Sequence, residues 1–151
     1  MPLRSRLKKA KTIKPTELRS RIMRAIRSKG TKPELTVEQW LRSARYKLHL
    51  HHSGLPGSPD FVLPRIKTVI FVHGCFWHGH KCRRGGRAPA TNVEYWTNKL
   101  ARNKLRDVSS VRKLRSLGWR VITVWECQTA KDGYRHRLLG KIRRGAGWEL
   151  C

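Results

Sequence analysis

The stretch from Val72 to Cys82 places Cys75 and Cys82 with His73, His78 and His80 inside eleven residues. Thiolate and imidazole are the side chains that hold zinc. Imidazole is also the usual proton carrier near neutral pH. Cys75, His80 and Cys82 share one loop, and a structural zinc needs four ligands in a tetrahedron. Cys127 is the natural fourth, because it ends a strand that can neighbour the strand before the loop. Spacing leaves His78 in competition with His80, since alternation puts both on one side of an extended chain. It also leaves Cys75 and Cys127 readable as ordinary buried thiols. Phe76 and Trp77 are adjacent, so an extended loop cannot turn both into one core. At least one is exposed, and an exposed aromatic can stack on a base.

A second constellation lies just upstream. Ser58-Pro59-Asp60-Phe61-Val62 is followed by Val69-Ile70-Phe71-Val72-His73. A carboxylate at the start of one strand then sits near the end of its antiparallel neighbour, as in the PD-(D/E)xK nuclease core. Magnesium takes oxygen ligands and keeps several waters, so one carboxylate, one carbonyl and phosphate oxygens suffice. His73 stands where that core carries its lysine, and an imidazole can take over the lysine's proton transfer. Glu34 has two readings: a capping-box partner of Thr31, or an acid close to the Asp60 metal. Glu126, next to Cys127, reads as a local structural partner.

The elements that must position these groups follow from periodicity. The 151 residues are read as one domain. Residues 1–15 form a basic arm. Thr16 caps a helix to Ser28. Thr31 and Pro33 start another, running to Ala44. Tyr46 to His51 alternates as a strand does. Asp60 to Leu63 is a second strand, and the apolar run Thr68 to Val72 is a third, buried on both faces. Thr91 or Asn92 caps a long helix to Leu117, with Val93, Trp96, Leu100, Val108, Val111 and Leu114 at helical spacing. Gly118 ends it. Arg120 to Trp125 is a buried strand, and a weaker helix spans Lys131 to Arg143. The fold class is α/β, a mixed central sheet flanked by helices.

Lys and Arg number 35 against 9 acidic residues, a formal charge of +26. Such a field draws polyanions and displaces counterions from phosphate backbones. No segment reaches the ~18 apolar residues of a membrane span, and residues 1–9 lack the apolar core of a signal peptide. An intracellular protein acting on nucleic acid without a membrane partner is expected. The plainer readings are a ribosomal-type basic protein or a non-catalytic zinc-containing DNA-binding module.

Several segments together resemble the very-short-patch repair (Vsr) endonuclease family. They are Arg21 to Ile26, Thr31 to Glu34, Leu55 to Asp60, Val69 to Cys82, Glu94 to Trp96 with Lys99 and Asn103, and Gly118 to Val121 with Trp125 to Cys127. The resemblance implies a restriction-endonuclease-like core over 16–130, flanked by the arm at 1–15 and a basic extension at 131–151. It implies a DNA mismatch endonuclease that nicks one strand 5′ to the thymine of a T:G mispair. Asp60 and the Val72 backbone carbonyl would hold catalytic magnesium. His73, His78 and Glu34 would complete the catalytic group, with His78 as general base. Cys75, His80, Cys82 and Cys127 would hold structural zinc, and Phe76, Trp77 and Trp96 would wedge into the duplex. The implied partners are mismatched double-stranded DNA and other mismatch-repair proteins. The implied setting is the bacterial cytoplasm, at the nucleoid. A mispair lacks two-fold symmetry, so a monomer suffices. The family often has Thr where this chain has Val72. The Arg83 to Arg87 stretch and the extra basic residues after Tyr134 also depart from its short form. These departures leave open a related nickase of a mobile or defence system with another recognition site.

Overall fold

The computed structural model describes residues 29–87 and 90–144. The expected arm, the helix at 16–28, residues 145–150 and Cys151 lie outside the described residues.

The first described helix, α1 (Lys32–Ser43), starts after Thr31 with a proline in its first turn and buries Val37 and Leu41. A proline there loses nothing, because that N–H has no intrahelical partner. Thr31 does not cap it through its side chain. Its hydroxyl instead donates to Glu34 Oε1 at 2.7 Å, and the Gly30 N–H donates to Oε2 at 2.8 Å. Glu34 thus still ties down the helix start, although by a variant of the expected box.

Strands β1 (His49–Leu50), β2 (Phe61–Leu63), β3 (Thr68–His73) and β4 (Arg120–Trp125) form one sheet in that order. The first two pairings are antiparallel and β3–β4 is parallel. The expected strand at 46–51 shrinks to two residues. Its partner β2 is only three residues long and ends at Pro64, where a 3-10 turn begins. Residues further back have no ladder to join. Tyr46 and Leu48 still pack on the core as side chains.

Helix α2 (Val93–Ser116) makes the crossover from β3 to β4. Gly118 ends it as expected, at φ 79°. The Trp119 N–H reaches Leu114 O and the Gly118 N–H reaches Arg115 O, both at 3.0 Å, a Schellman pairing. Asn92 occupies the N-cap but in a left-handed conformation, without a side-chain cap bond. The expected apolar face holds at Trp96, Leu100, Val111 and Leu114, which are half-buried or buried, and fails at Val93 and Val108, 54% and 68% exposed. The polar residues Lys99, Asn103, Asp107 and Ser110 share that inward side. A short helix α3 (Glu126–Thr129) and then α4 (Tyr134–Arg143) complete the described chain.

The sheet separates two apolar layers. On one face Ile70, Ile122 and Val124 meet Val37 and Leu41 of α1 and Leu138, Leu139 and Ile142 of α4. On the other, Val62, Val69 and Phe71 meet Leu114 of α2. This explains the unbroken apolar run of β3, whose residues are covered on both sides. The segment after Tyr134 is therefore part of the core on its apolar side, while Arg135, Arg137 and Lys141 face solvent. Arg120 secures it by donating to the Lys141 and Ile142 carbonyls at the end of α4. No helix among the described residues is long and apolar enough to cross a membrane.

Candidate active site and metal centres

The register of the sheet brings the first group together. β2 pairs Phe61 with Ile70, so Asp60 falls opposite Phe71. Its Oδ2 accepts the Val72 N–H at 2.7 Å. On the other side β1 pairs Leu50 with Phe61, and the next step, His51, donates its N–H to Asp60 O at 2.9 Å. The His51 Nδ1 lies 3.9 Å from Asp60 Oδ1 and its Nε2 lies 4.0 Å from Glu34 Oε2. Glu34 reaches this point from the first turn of α1. Glu34, His51 and Asp60 each offer a ligand atom within 4.8 Å of the others. Burial raises the Asp60 carboxyl to about 6, against the Val72 N–H that lowers it, and the Glu34 charge raises it further. A buried carboxylate beside another carboxylate calls for a cation.

The second group faces the first across a cleft of about 370 Å³, lined by Glu34, Asp60, Val72, His73, His78 and Asp107 among others. His73 ends β3 and stacks on His78, ring centroids 3.8 Å apart and 6° from parallel. His78 Nδ1 and Asp107 Oδ2 are 2.5 Å apart. A carboxylate on Nδ1 fixes the imidazole tautomer and leaves Nε2 free to take a proton. Burial, then the neighbouring His78, lowers His73 to about 4. His73 is thus neutral at pH 7.

The third group is the thiol–imidazole cluster. Ligand atoms of Cys75, His80, Cys82 and Cys127 all lie within 4.8 Å of one another. Cys127 Sγ is 3.5 Å from His80 Nδ1. Zinc bonds of about 2.3 Å put tetrahedral ligands about 3.8 Å apart, so the donor set fits a tetrahedral metal. His80 sits among the three thiols, whereas His78 lies against Asp107. Burial pushes the Cys75 thiol up to about 12. The Gly85 N–H, and next His80, draw Cys82 down to about 6. The buried Cys75 thiol ionises readily only with a cation beside it.

The loop's own backbone builds this cluster. The Gly85 N–H donates to Cys82 Sγ at 3.4 Å, and the Cys127 N–H donates to Cys75 Sγ at 3.4 Å. A Cβ on Gly85 would stand 2.1 Å from His80 O, so only glycine closes the turn. The unusual basic, glycine-rich stretch therefore contributes a necessary residue to the cluster. Glu126 is the local partner expected: it accepts the Cys75 N–H at 3.3 Å and pairs with Arg84 at 3.2 Å. Trp125 stacks on His80 at 4.2 Å and meets His73 edge-on at 5.4 Å. One indole thus couples the thiol cluster to the histidine pair.

Phe76, Trp77 and Trp96 form a half-buried aromatic patch with centroid separations of 5.2 to 5.9 Å. Tyr95 extends it at 5.4 Å from Trp96. Lys99 Nζ lies 5.3 to 5.6 Å from the rings of Trp77, Tyr95 and Trp96. Asn103 fastens the loop to α2 by donating to Trp77 O at 2.9 Å.

All the site residues expected from sequence fall into these groups. Two members were not anticipated, His51 and Asp107. The signal for Asp107 was a polar line on α2, Asn103-Asp107-Ser110 at helical spacing, masked by valines that turn out to face solvent. The signal for His51 was its place one step beyond β1, opposite Asp60 if residues 52–59 form the connecting turn.

The model of the DNA mismatch endonuclease Vsr family matches residues 12–84. The Type II nicking enzyme V.XorIIP of Xanthomonas oryzae pv. oryzae is 44% identical over 117 residues, covering 78% of this chain and 85% of that protein. V.NmeAIP of Neisseria meningitidis serogroup A, also a Type II nicking enzyme by name, is 37% identical over 129 residues, covering 85% and 91%. The DNA mismatch endonuclease Vsr of Escherichia coli is 42% identical over 109 residues, covering 72% and 69%. With extended identity to both kinds of relative, the chain belongs to the Vsr family of DNA endonucleases.

Proposed function

We propose that the protein nicks one strand of duplex DNA 5′ to the thymine of a T:G mispair, with magnesium as catalytic ion, in very-short-patch repair. The observation that carries the reading is the His78–Asp107 pair stacked on His73, facing Asp60 across one cleft. It supplies a base with a fixed tautomer opposite a carboxylate suited to a cation.

Asp60 and the Val72 carbonyl would hold magnesium, with Glu34 beside them. When bound, magnesium offsets the charge that develops on the phosphate under attack. Asp107 holds the Nδ1 proton of His78, and His78 Nε2 accepts the proton of the attacking water. Asp107 then stabilises the imidazolium that results. His73, neutral at pH 7, packs flat against His78 and limits its rotation. The products are a 5′-phosphate and a 3′-hydroxyl.

Zinc in the Cys75–His80–Cys82–Cys127 cluster braces the loop that carries His78, Phe76 and Trp77. Phe76, Trp77 and Trp96 enter the base stack. Unstacking costs a few kcal/mol per step, and a T:G wobble lowers that cost, which is a physical source of mismatch selectivity. The basic segments at 1–15 and 131–151, which flank the expected 16–130 domain, neutralise backbone phosphate on either side, the second of them with its helix α4 packed into the core. The protein works as a monomer beside other repair proteins at the nucleoid of the cytoplasm.

V.XorIIP and V.NmeAIP are named Type II nicking enzymes, which favours a second reading, a related nickase of a mobile or defence system with another recognition site. One experiment separates the readings. The zinc-loaded protein is incubated with magnesium and end-labelled duplexes carrying each mispair in randomised flanks. A nick 5′ to thymine in T:G duplexes alone supports the repair reading. Cleavage that requires another mispair, or that occurs at a matched sequence, favours the nickase of a mobile or defence system. No cleavage of any duplex would sink both and leave a DNA-binding module.

A further inference from the structure

Three groups of metal-ligating side chains occur among the described residues. The chemistry above uses every member except His51. We propose that His51 is a direct nitrogen ligand of the cation held at Asp60, and that it makes this site select a transition divalent ion such as Mn2+ over Mg2+. The proposal rests on the reading of Asp60 as a metal ligand.

Register puts His51 there. The β1–β2 ladder pairs His49 with Val62 and Leu50 with Phe61, and its next rung is His51 with Asp60. The rung is closed by the His51 N–H on Asp60 O at 2.9 Å. His51 itself turns out of the ladder in a left-handed conformation, φ 47°, and its ring lies beside the Asp60 carboxyl. The two carboxyl oxygens of Asp60 are then differently engaged. Oδ2 accepts the Val72 N–H, and Oδ1 is the atom His51 faces.

One His51 nitrogen can serve an ion shared with both carboxylates, since one ligand atom from each of the three residues lies within 4.8 Å of the other two. His51 Nδ1 to Asp60 Oδ1 is 3.9 Å and His51 Nε2 to Glu34 Oε2 is 4.0 Å. Both exceed a hydrogen bond. Around an octahedral ion with bonds of about 2.1 Å, neighbouring donors lie about 3.0 Å apart and opposite donors about 4.2 Å apart. Glu34 is held in place independently, by the Gly30 N–H and the Thr31 hydroxyl. His51 is three-quarters buried, with 26% of its side chain exposed.

The donor set decides the ion. Carboxylates, carbonyls and water suit both magnesium and manganese, and an added imidazole favours a first-row transition ion, Mn2+ being the first of that series, over Mg2+. A site of two carboxylates and one imidazole therefore still accepts Mg2+ at cellular abundance but binds Mn2+ more tightly.

The test uses the full-length, zinc-loaded chain without DNA. Mn2+ binding is followed by loss of the free-ion electron paramagnetic resonance signal, with Mg2+ as competitor. Pulsed measurement of the bound Mn2+ reads nitrogen-14 coupling. For His51→Gln and His51→Ala we expect a fall of roughly tenfold or more in Mn2+ affinity, little change for Mg2+, and loss of the nitrogen modulation. Zinc content and circular dichroism report that each variant is folded. If both folded variants keep the wild-type Mn2+ to Mg2+ ratio and the nitrogen modulation, the role of His51 is overturned. Should Asp60→Asn abolish Mn2+ binding in that same case, the reading of Asp60 still stands. Mn2+ binding indifferent to Asp60→Asn overturns both.

Discussion

Replacing Asp60 with asparagine should remove catalysis and, in magnesium-free buffer, stabilise the fold. The carboxyl is raised from 3.8 to about 6, first by burial and then by the Glu34 charge, against the Val72 N–H. A group whose pKa rises on folding favours the fold when protonated and opposes it when charged. Its stabilising contribution is complete below 3.8 and is lost as pH rises through about 6. The interval is worth ~3 kcal/mol at 1.36 kcal/mol per pH unit. Only 18% of the side chain is exposed, so solvent screening takes away little, and ~2–3 kcal/mol remains. Asparagine keeps an oxygen for the Val72 N–H and carries no charge. Urea unfolding of the zinc-loaded proteins should therefore favour Asp60→Asn by ~2–3 kcal/mol at pH 7.5, or ~5–10 °C in Tm. The advantage should shrink as pH falls from 6 and vanish near 4. Added Mg2+ or Mn2+ should stabilise the wild type only, by mass action. An asparagine variant that is equally or less stable at pH 7.5, or whose advantage does not depend on pH, would refute the reasoning.

The remaining predictions concern the other groups. Asp107→Asn and His78→Ala should each lower the single-turnover nicking rate by about 10²–10⁴-fold with DNA affinity nearly unchanged, as read by quenched-flow and fluorescence anisotropy. Loss of affinity in parallel with rate would instead assign Asp107 to DNA binding. Cys127→Ser should cost the protein its one equivalent of zinc and lower Tm, measured by metal analysis and calorimetry; full zinc retention would show that the cluster is not its site. Gly85→Ala sets a Cβ against His80 O, so it should weaken zinc retention against a chelator by roughly tenfold or more, while Gly86→Ala, whose nearest contact is 3.3 Å, should be mild. Arg120→Ala frees two carbonyls at the end of α4 and should cost about 1–3 kcal/mol, checked by urea denaturation.

Much of the site was written in local sequence. The thiols and imidazoles of Val72 to Cys82 lie close along the chain, so their chemistry is visible before any folding. The apolar runs at 68–72 and 120–125 specify buried strands, and Gly118 specifies where α2 stops, because only short-range backbone rules are involved. Three matters were decided by tertiary structure alone. The choice of His80 over His78 as thiol partner depends on where Cys127 and Asp107 stand, 47 and 29 residues away. The inward face of α2 is set by the polar cleft it covers, which overrides the hydrophobic spacing that pointed to Val93 and Val108. The meeting of His51, Asp60 and Glu34 depends on strand register and on the approach of α1 to the sheet. Composition and spacing determine which chemistry the chain can hold, since they fix the functional groups. Long-range packing determines which groups face one another, because contacts between distant residues follow the register and the layering of the whole fold.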